Sequence, residues 1–232
     1  MKYLSIILII IALAFSCSSK SQVPNVKLET FEDSVAYAIG MNLGQNFKRD
    51  SIMLDTDIIA AGIHDMLYSD TTKLNETQLQ EIFQAFNQQL QAKQAQKSNM
   101  KLMQNKAAGE KFLAENAKKE GVVTTASGLQ YKVIKEGTGP KPGPTTKVKV
   151  HYTGKILDGT VFDSSVERGT PAEFGLNQVI KGWTEGLQLM SPGAEYILYI
   201  PSDLAYGDQQ RNELITPGST LIFEVQLIDI LD

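Results

Sequence analysis

The chain has 232 residues, of which 42% are hydrophobic and 21% are charged, and its formal net charge at pH 7 is −4. This length can hold one large domain or two small ones. A net negative chain without a basic patch and interleaved aromatic residues is not expected to bind nucleic acid. With two histidines and one cysteine, a zinc or iron–sulfur site would need mostly carboxylate ligands, so we expect no metal and no other cofactor.

Residues 1–17 have the pattern of an export signal. Lys2 gives a positive start, and the apolar run from Leu4 to Phe15 is interrupted only by Ser5. The run is shorter than the roughly 20 apolar residues of a membrane span and fits the apolar core of a signal peptide. Cys17 follows two residues after the run, in a sequence that resembles a bacterial lipobox, which predicts lipidation of Cys17 and anchoring to a membrane. Ordinary cleavage, which leaves or removes a free cysteine, is the alternative.

A polar tether at residues 18–27 leads to two short predicted helices. Thr30 can cap the first helix, because Asp33 follows three residues later. Apolar residues then recur at helical spacing from Val35 onward. Asp55 can cap a second helix that runs to about Tyr68.

A third, much longer helix is predicted from a possible capping box at residues 75–78 to about Glu120. Its middle, residues 88–99, is almost wholly polar apart from alanine, which predicts a connecting helix that is exposed there. The short apolar helices cannot build much of a core alone, and small helical units commonly oligomerise. We therefore predict a homodimer through residues 28–121; a monomeric three-helix bundle is the alternative.

The C-terminal part of the chain changes from helical to strand patterns. Alternation of apolar and polar residues predicts strands at 129–134, 148–152, 195–200 and 221–227, and one helix at about 180–190. Several strands with one helix predict an α+β unit, in which an antiparallel sheet wraps on a helix.

Five short motifs in this part carry a family resemblance. They read VHYTG (150–154), GTVFDSS (159–165), VIKGWTEGL (179–187), AYG (205–207) and LIFEVQL (221–227). Their order and spacing resemble the FKBP family of peptidyl-prolyl cis/trans isomerases over about Thr124 to Asp232. With the export signal and helices in front, the chain is similar to the Mip-like and FkpA-like bacterial branch.

The resemblance implies an FKBP-type isomerase domain at residues 122–232 that acts on Xaa-Pro bonds of exported, folding proteins. It also implies a dimer in the cell envelope of a Gram-negative-type bacterium, facing the periplasm or the surface, and possible binding of macrolide-type inhibitors. A chaperone or holdase whose FKBP-like domain mainly binds clients is the alternative function.

The resemblance also implies a pocket for the substrate proline. Trp183 would form its floor, and the walls would be Tyr152, Phe162, Val179, Ile180 and Phe223. Strand alternation independently allows Tyr152 and Phe223 to share an inward face. It places His151 on the opposite face, where we expect a structural role.

Other residues would act on the substrate's backbone and on the rim of the pocket. Asp163 would set the electrostatics around the twisting carbonyl, unless it only pairs with Arg168 or Tyr152. The backbone N–H of Ile180 and the hydroxyl of Tyr206 would hydrogen-bond substrate carbonyls. The remaining predicted substrate contacts are Ile215 at the rim, Ala172 and Arg168. Three positions depart from the pattern of small members of the family. Those members carry phenylalanine where Ala172 stands and proline where Thr216 stands, and Arg211 stands where an apolar residue or histidine often sits.

Isomerisation needs only this kind of pocket. Resonance gives the peptide bond a rotation barrier of about 18–20 kcal/mol. In the twisted state the nitrogen lone pair leaves conjugation and the carbonyl loses polarity. An apolar pocket therefore favours the twisted state over the planar, well-solvated ground state.

Overall fold

The computed structural model describes residues 25–231, so the predicted signal segment and Cys17 lie outside the described residues. The chain divides into two compact units, the first ending at Ile82 and the second beginning at Phe83. Within residues 25–231, no helix is long and apolar enough to span a bilayer.

The first unit is helical, and its predicted helix starts are confirmed. Helix α1 (Phe31–Arg49) begins with a capping box: Asp33 N donates to Thr30 Oγ1 at 3.1 Å, and Thr30 N donates to Asp33 Oδ2 at 2.8 Å. Asp55 caps α2 (Thr56–Tyr68) by accepting from Asp57 N at 2.9 Å. No residue of α1 or α2 is buried, so this unit as described has very little core of its own.

Helix α3 (Glu76–Asn116) starts with the predicted reciprocal pair, in which Asn75 and Gln78 each bond the other's backbone N–H, at 2.9 and 3.1 Å. It ends before the predicted Glu120. The Asn116 side chain is fully buried and donates to Gln130 Oε1 at 3.0 Å. Gly121 then adopts φ +77°, which favours glycine and ends the turn before the first strand.

The second unit is a seven-stranded antiparallel sheet with one short helix, which confirms the α+β prediction. The strands are β1 (Val122–Thr124), β2 (Gln130–Lys135), β3 (Lys147–Ile156), β4 (Val161–Ser164), β5 (Ala172–Gly175), β6 (Glu195–Ile200) and β7 (Leu221–Leu231). Their order is β1-β2-β6-β7-β3-β4, and β5 pairs with the N-terminal half of β3. The short strands β1, β4 and β5 are additions to the predicted set.

Helix α4 (Lys181–Leu187) lies against this sheet and is shorter than predicted, because Ile180 has extended backbone angles and serves as its N-cap. Two glycines let the helix approach closely. A Cβ at Gly186 would lie 2.7 Å from Leu198 Cδ1, and one at Gly182 would overlap Ile200. The helix thus contributes Trp183 and Leu187 to the buried core between helix and sheet.

Candidate active site

Aromatic side chains from four elements meet at one end of the core. Trp183 of α4 lies edge-on to Tyr152 of β3 and to Phe223 of β7, with ring centroids 5.1 Å apart in both pairs. Tyr152 and Phe223 are 6.2 Å apart, so the predicted shared inward face is confirmed. Phe162 of β4 lies edge-on to Phe223 at 5.5 Å. Tyr152, Trp183 and Phe223 are buried, whereas Phe162 is only partly buried.

Phe174 also belongs to this cluster, although the sequence did not predict it as a pocket residue. Its ring lies 5.5 Å from Trp183 and 6.0 Å from Tyr152. It comes from β5, two residues after Ala172, so both side chains lie on the same face of the strand. Ala172 is also packed against the core. Apolar Ala172 and Phe174 on either side of polar Glu173 follow the alternation of a strand, but four residues are too few for this pattern to predict a strand.

Glycine at position 154 makes the contact between two of the rings possible. Gly154 lies in β3 opposite Phe223. A Cβ at this position would lie 2.6 Å from Phe162 Cζ and 2.8 Å from Phe223 Cε1. Any side chain here would push the two rings apart, which is why the glycine of the VHYTG motif matters for the shape of the cluster.

Asp163 joins the cluster to the surface through two partners. Its Oδ2 accepts from the Tyr152 hydroxyl and its Oδ1 from Arg168 Nη1. Arg168 Nη2 also donates to the Tyr152 oxygen at 3.1 Å, and its guanidinium carbon lies 5.7 Å from the centre of the Tyr152 ring. The three side chains therefore form a closed polar triangle at the edge of the aromatic cluster.

The electrostatics of the triangle follow from these contacts. Burial alone would raise the pKa of Asp163. The hydrogen bonds from Tyr152 and Arg168 and the guanidinium charge outweigh burial, and the pKa lies below its usual value. Burial, and then the hydrogen bond to Asp163, raise the pKa of Tyr152. At neutral pH the carboxylate is thus ionised, and the phenol keeps its proton and donates.

The backbone carbonyl of Ile180 is hydrogen-bonded, whereas its backbone N–H is available to a ligand. The carbonyl accepts from Trp183 N at 2.9 Å and Thr184 N at 3.1 Å. Its N–H has no acceptor among residues 25–231, so it can donate to a bound molecule. Val179 and Ile180 are partly buried against the core, as walls of a pocket require.

The remaining predicted residues lie in the segment between β6 and β7. Tyr206 is partly buried against the core, and Ile215 is almost fully buried. Asn212 Oδ1 folds the segment by accepting from Leu214 N at 2.9 Å and Ile215 N at 2.7 Å. Arg211 covers the Tyr206 ring at 5.8 Å.

His151 lies apart from the aromatic cluster. Its Nδ1 hydrogen-bonds with Ser165 Oγ at 3.1 Å, and the same oxygen accepts from Tyr152 N at 2.8 Å. These contacts support the structural role expected for this histidine. Among residues 25–231, no group of three His, Cys, Asp or Glu side chains could hold a metal ion.

Two family models match the chain. Residues 32–133 match the domain amino-terminal to FKBP-type peptidyl-prolyl isomerase, and residues 139–228 match the FKBP-type peptidyl-prolyl cis-trans isomerase. The outer membrane protein MIP of Legionella longbeachae is 44% identical over 88% of this chain and 87% of its own length. FkpA of Aeromonas hydrophila, an FKBP-type isomerase, is 42% identical over 92% of this chain and 81% of its own.

A solved structure is similar as well. The crystal structure of FkpA from Escherichia coli matches with a TM-score of 0.71 and 35% identity, covering 88% of this chain and 98% of that one. The match extends over both the helical and the sheet-containing parts of the sequence.

Proposed function

Because the chain belongs to the FKBP-type peptidyl-prolyl cis/trans isomerase family and rotates Xaa-Pro bonds, we propose that its substrates are exported proteins that fold in the cell envelope. The observation that supports a proline-containing substrate is the aromatic cluster around Trp183, with the Tyr152–Asp163–Arg168 triangle at its edge. The signal-like pattern of residues 1–17 supports the cell envelope as the location of these substrates. A relative's designation as an outer membrane protein agrees with it.

In this proposal the site residues divide the work by chemistry. The proline ring enters the aromatic cluster, where Trp183 is the floor and Phe162 and Phe223 are walls. The polar carbonyl of the planar ground state loses much of its solvation there, whereas the less polar carbonyl of the twisted state loses less. The Ile180 N–H and the Tyr206 hydroxyl hold the flanking carbonyls, so that rotation occurs about one bond.

The Tyr152–Asp163–Arg168 triangle places the Asp163 carboxylate, which is paired with the Arg168 guanidinium, at a fixed position beside the twisting amide. Its orientation is set before substrate binds, because Tyr152 and Arg168 both hold the carboxylate. A preorganised charge costs no reorganisation during the reaction. Val179, Ile215, Ala172 and Arg168 are the proposed contacts to residues flanking the proline.

The proposed action on proteins predicts faster refolding of a proline-limited client. Uncatalysed prolyl isomerisation takes about 10–100 s at 25 °C, so the slow phase of such a client can be followed by hand mixing. We expect the full-length chain to accelerate this phase and also the isomerisation of a short Xaa-Pro peptide. A macrolide-type inhibitor should suppress both rates if it occupies the same pocket. If the chain accelerated isomerisation of the peptide but not refolding of the client protein, the proposed substrate class would be wrong.

The first unit is proposed to form a homodimer, because many of its large apolar side chains are exposed in the described part of the chain. A groove of about 1010 Å³ lies along α2 and is lined largely by apolar side chains. Ile63 and Met66 in this groove are 52% and 75% exposed. Exposed apolar patches of this kind mark interaction surfaces, and a second copy of the unit offers a matching one.

Replacing Ile63 with glutamate is expected to convert the dimer to a monomer, because it puts a charge into the buried interface. Light scattering after size exclusion measures the mass of each species. Ala60→Glu is the matched control, since Ala60 is an exposed residue of the same helix that does not line the groove. A wild-type chain that is monomeric at micromolar concentration would contradict the dimer and would favour the groove as a client-binding surface, as in the holdase alternative.

Lipidation of Cys17 is proposed as the anchor to the envelope. It rests on the apolar run from Leu4 to Phe15, which lies just before the only cysteine of the chain. Cells expressing the wild type should incorporate labelled palmitate into the protein and retain it in the membrane fraction, whereas Cys17→Ser should do neither. Equal labelling of both proteins would exclude this anchor.

A further inference from the structure

The C-terminal turns of α3 pack against the segment that carries Tyr206 and Ile215. We call residues 205–220, which connect the 3-10 turn after β6 (Ser202–Leu204) to β7, the rim loop. The segment of α3 concerned and the rim loop both lie in the second compact unit. The rim loop closes at its base, where Gly218 N donates to Gly207 O at 2.9 Å.

Asn105 of α3 is the main polar link between helix and loop. Its Nδ2 donates to Thr216 Oγ1 at 2.8 Å and to the Pro217 carbonyl at 2.7 Å. The bonds span more than a hundred residues of sequence, and Asn105 is partly buried. Thr216 is one of the positions at which the sequence departs from the familiar family pattern, and its hydroxyl is what Asn105 bonds.

Glycines on both sides bring the helix and the loop into direct contact. Gly218 adopts φ +76°, and a Cβ there would lie 2.8 Å from the Leu102 carbonyl oxygen. On the helix, a Cβ at Gly109 would overlap the Thr220 hydroxyl. The approach thus requires glycine at two positions, one on each partner.

Lys106 adds a charge contact to the other end of the loop. Its Nζ lies 3.0 Å from Asp208 Oδ1 and 3.8 Å from Asp203 Oδ1. Asp208 is two residues beyond Tyr206. Both ends of the rim loop are therefore held by adjacent residues of one helix, Asn105 at Thr216 and Pro217, and Lys106 at Asp208.

From these contacts we propose that Asn105 is a positioning residue for the isomerase reaction: by holding the base of the rim loop, it sets where Tyr206 and Ile215 meet the residues that flank the substrate proline. The last turns of α3 are then part of the substrate-binding machinery. The inference rests on the proposed roles of Tyr206 and Ile215. It predicts an effect on KM and on the preference for the residue before proline.

The test compares Asn105→Ala, Asn105→Asp and Gln104→Ala in the full-length chain, using a panel of short peptides that differ before the proline. Loss of two hydrogen bonds should raise KM on the order of fivefold, change the order of preference among the peptides, and leave kcat within about twofold. Asn105→Asp keeps the shape but puts a carboxylate against the Pro217 carbonyl, which cannot donate, so that bond is lost even if the Thr216 hydroxyl donates to the new carboxylate. We expect its KM to rise as well. Gln104 is exposed on the same helix, and its replacement should change nothing.

A second variant reaches the same contact by another route. Gly109→Ala pushes the helix away from Thr220, so it should reproduce the KM and preference changes of Asn105→Ala. Thermal unfolding, followed by Trp183 fluorescence, reports whether each variant is folded. An inactive wild type would refute the function itself. An active wild type, with Asn105→Ala and Asn105→Asp matching it in KM and preference, would show that the contact only attaches the helix and would overturn the inference.

Discussion

Replacing Asp163 with asparagine is expected to lower kcat/KM for a short Xaa-Pro peptide by about 10-fold to 150-fold. Asp163 accepts from both Tyr152 and Arg168, and a hydrogen bond to a charged group contributes about 1.5–3 kcal/mol, where each 1.36 kcal/mol is a factor of ten in rate. Asparagine keeps the shape but loses the charge, and its NH₂ group faces one of the two donors. Asp163→Leu removes both acceptors and should be more severe.

The matched control is Asp158→Asn in the turn before β4. Asp158 Oδ1 accepts from Thr160 N at 2.9 Å, a bond that asparagine can also accept. Its kcat/KM should stay within about twofold of wild type, as is usual for surface substitutions. If Asp163→Asn matches this control while remaining folded, the charge has no part in catalysis and Asp163 is only a packing element.

The lowered pKa of Asp163 gives the same variant a pH signature. The folded pKa lies below the unfolded value of about 3.9. The carboxylate's contribution to stability is therefore complete above the unfolded value and is lost as pH falls through the folded one. Wild-type activity should be flat near neutral pH and decline only in strong acid, where Asp163 becomes protonated. Asp163→Asn has no carboxylate at this position, so it should lack that part of the decline. If activity fell with pH in the same way in both proteins, the decline would come from other groups.

Local patterns in the sequence were sufficient for much of the fold. The caps at Thr30, Asp55 and Asn75 were predictable because a capping side chain and its target are three residues apart or fewer. The shared face of Tyr152 and Phe223 followed from strand alternation. These features depend on neighbours in the chain, and all of them are present in the structure.

What could not be predicted depends on contacts between distant residues. Phe174 comes from a strand too short to show a period, and its place beside Trp183 is fixed by pairing of β5 with β3. The early end of α3 follows from burial of Asn116 against Gln130. The link from Asn105 to Thr216 has no local signature at all, since an asparagine inside a helix is usually a solvent-exposed residue.

Replacing Trp183 with alanine is expected to reduce both stability and activity by large amounts. Trp183 is only 4% exposed, and truncation of a buried tryptophan costs about 3–5 kcal/mol. Its edge-on contacts with Tyr152, Phe174 and Phe223 are lost as well, and such pairs contribute about 0.5–1.5 kcal/mol each beyond burial. Urea unfolding followed by circular dichroism measures the change, because the variant lacks the only tryptophan.

Two further variants separate the pocket floor from general stability. Leu227 is fully buried in β7, so Leu227→Ala should cost about 2–5 kcal/mol and yet leave kcat/KM of the folded protein unchanged. Trp183→Phe keeps an aromatic floor and removes an indole N–H that is buried without a partner in the described part of the chain. Since an unsatisfied buried donor is itself unfavourable, Trp183→Phe should be milder than Trp183→Ala in both respects. Trp183→Ala could instead behave like Leu227→Ala, with lower stability but an unchanged kcat/KM in the folded protein. In that case the Trp183 ring would only be part of the core, and the proline would bind elsewhere.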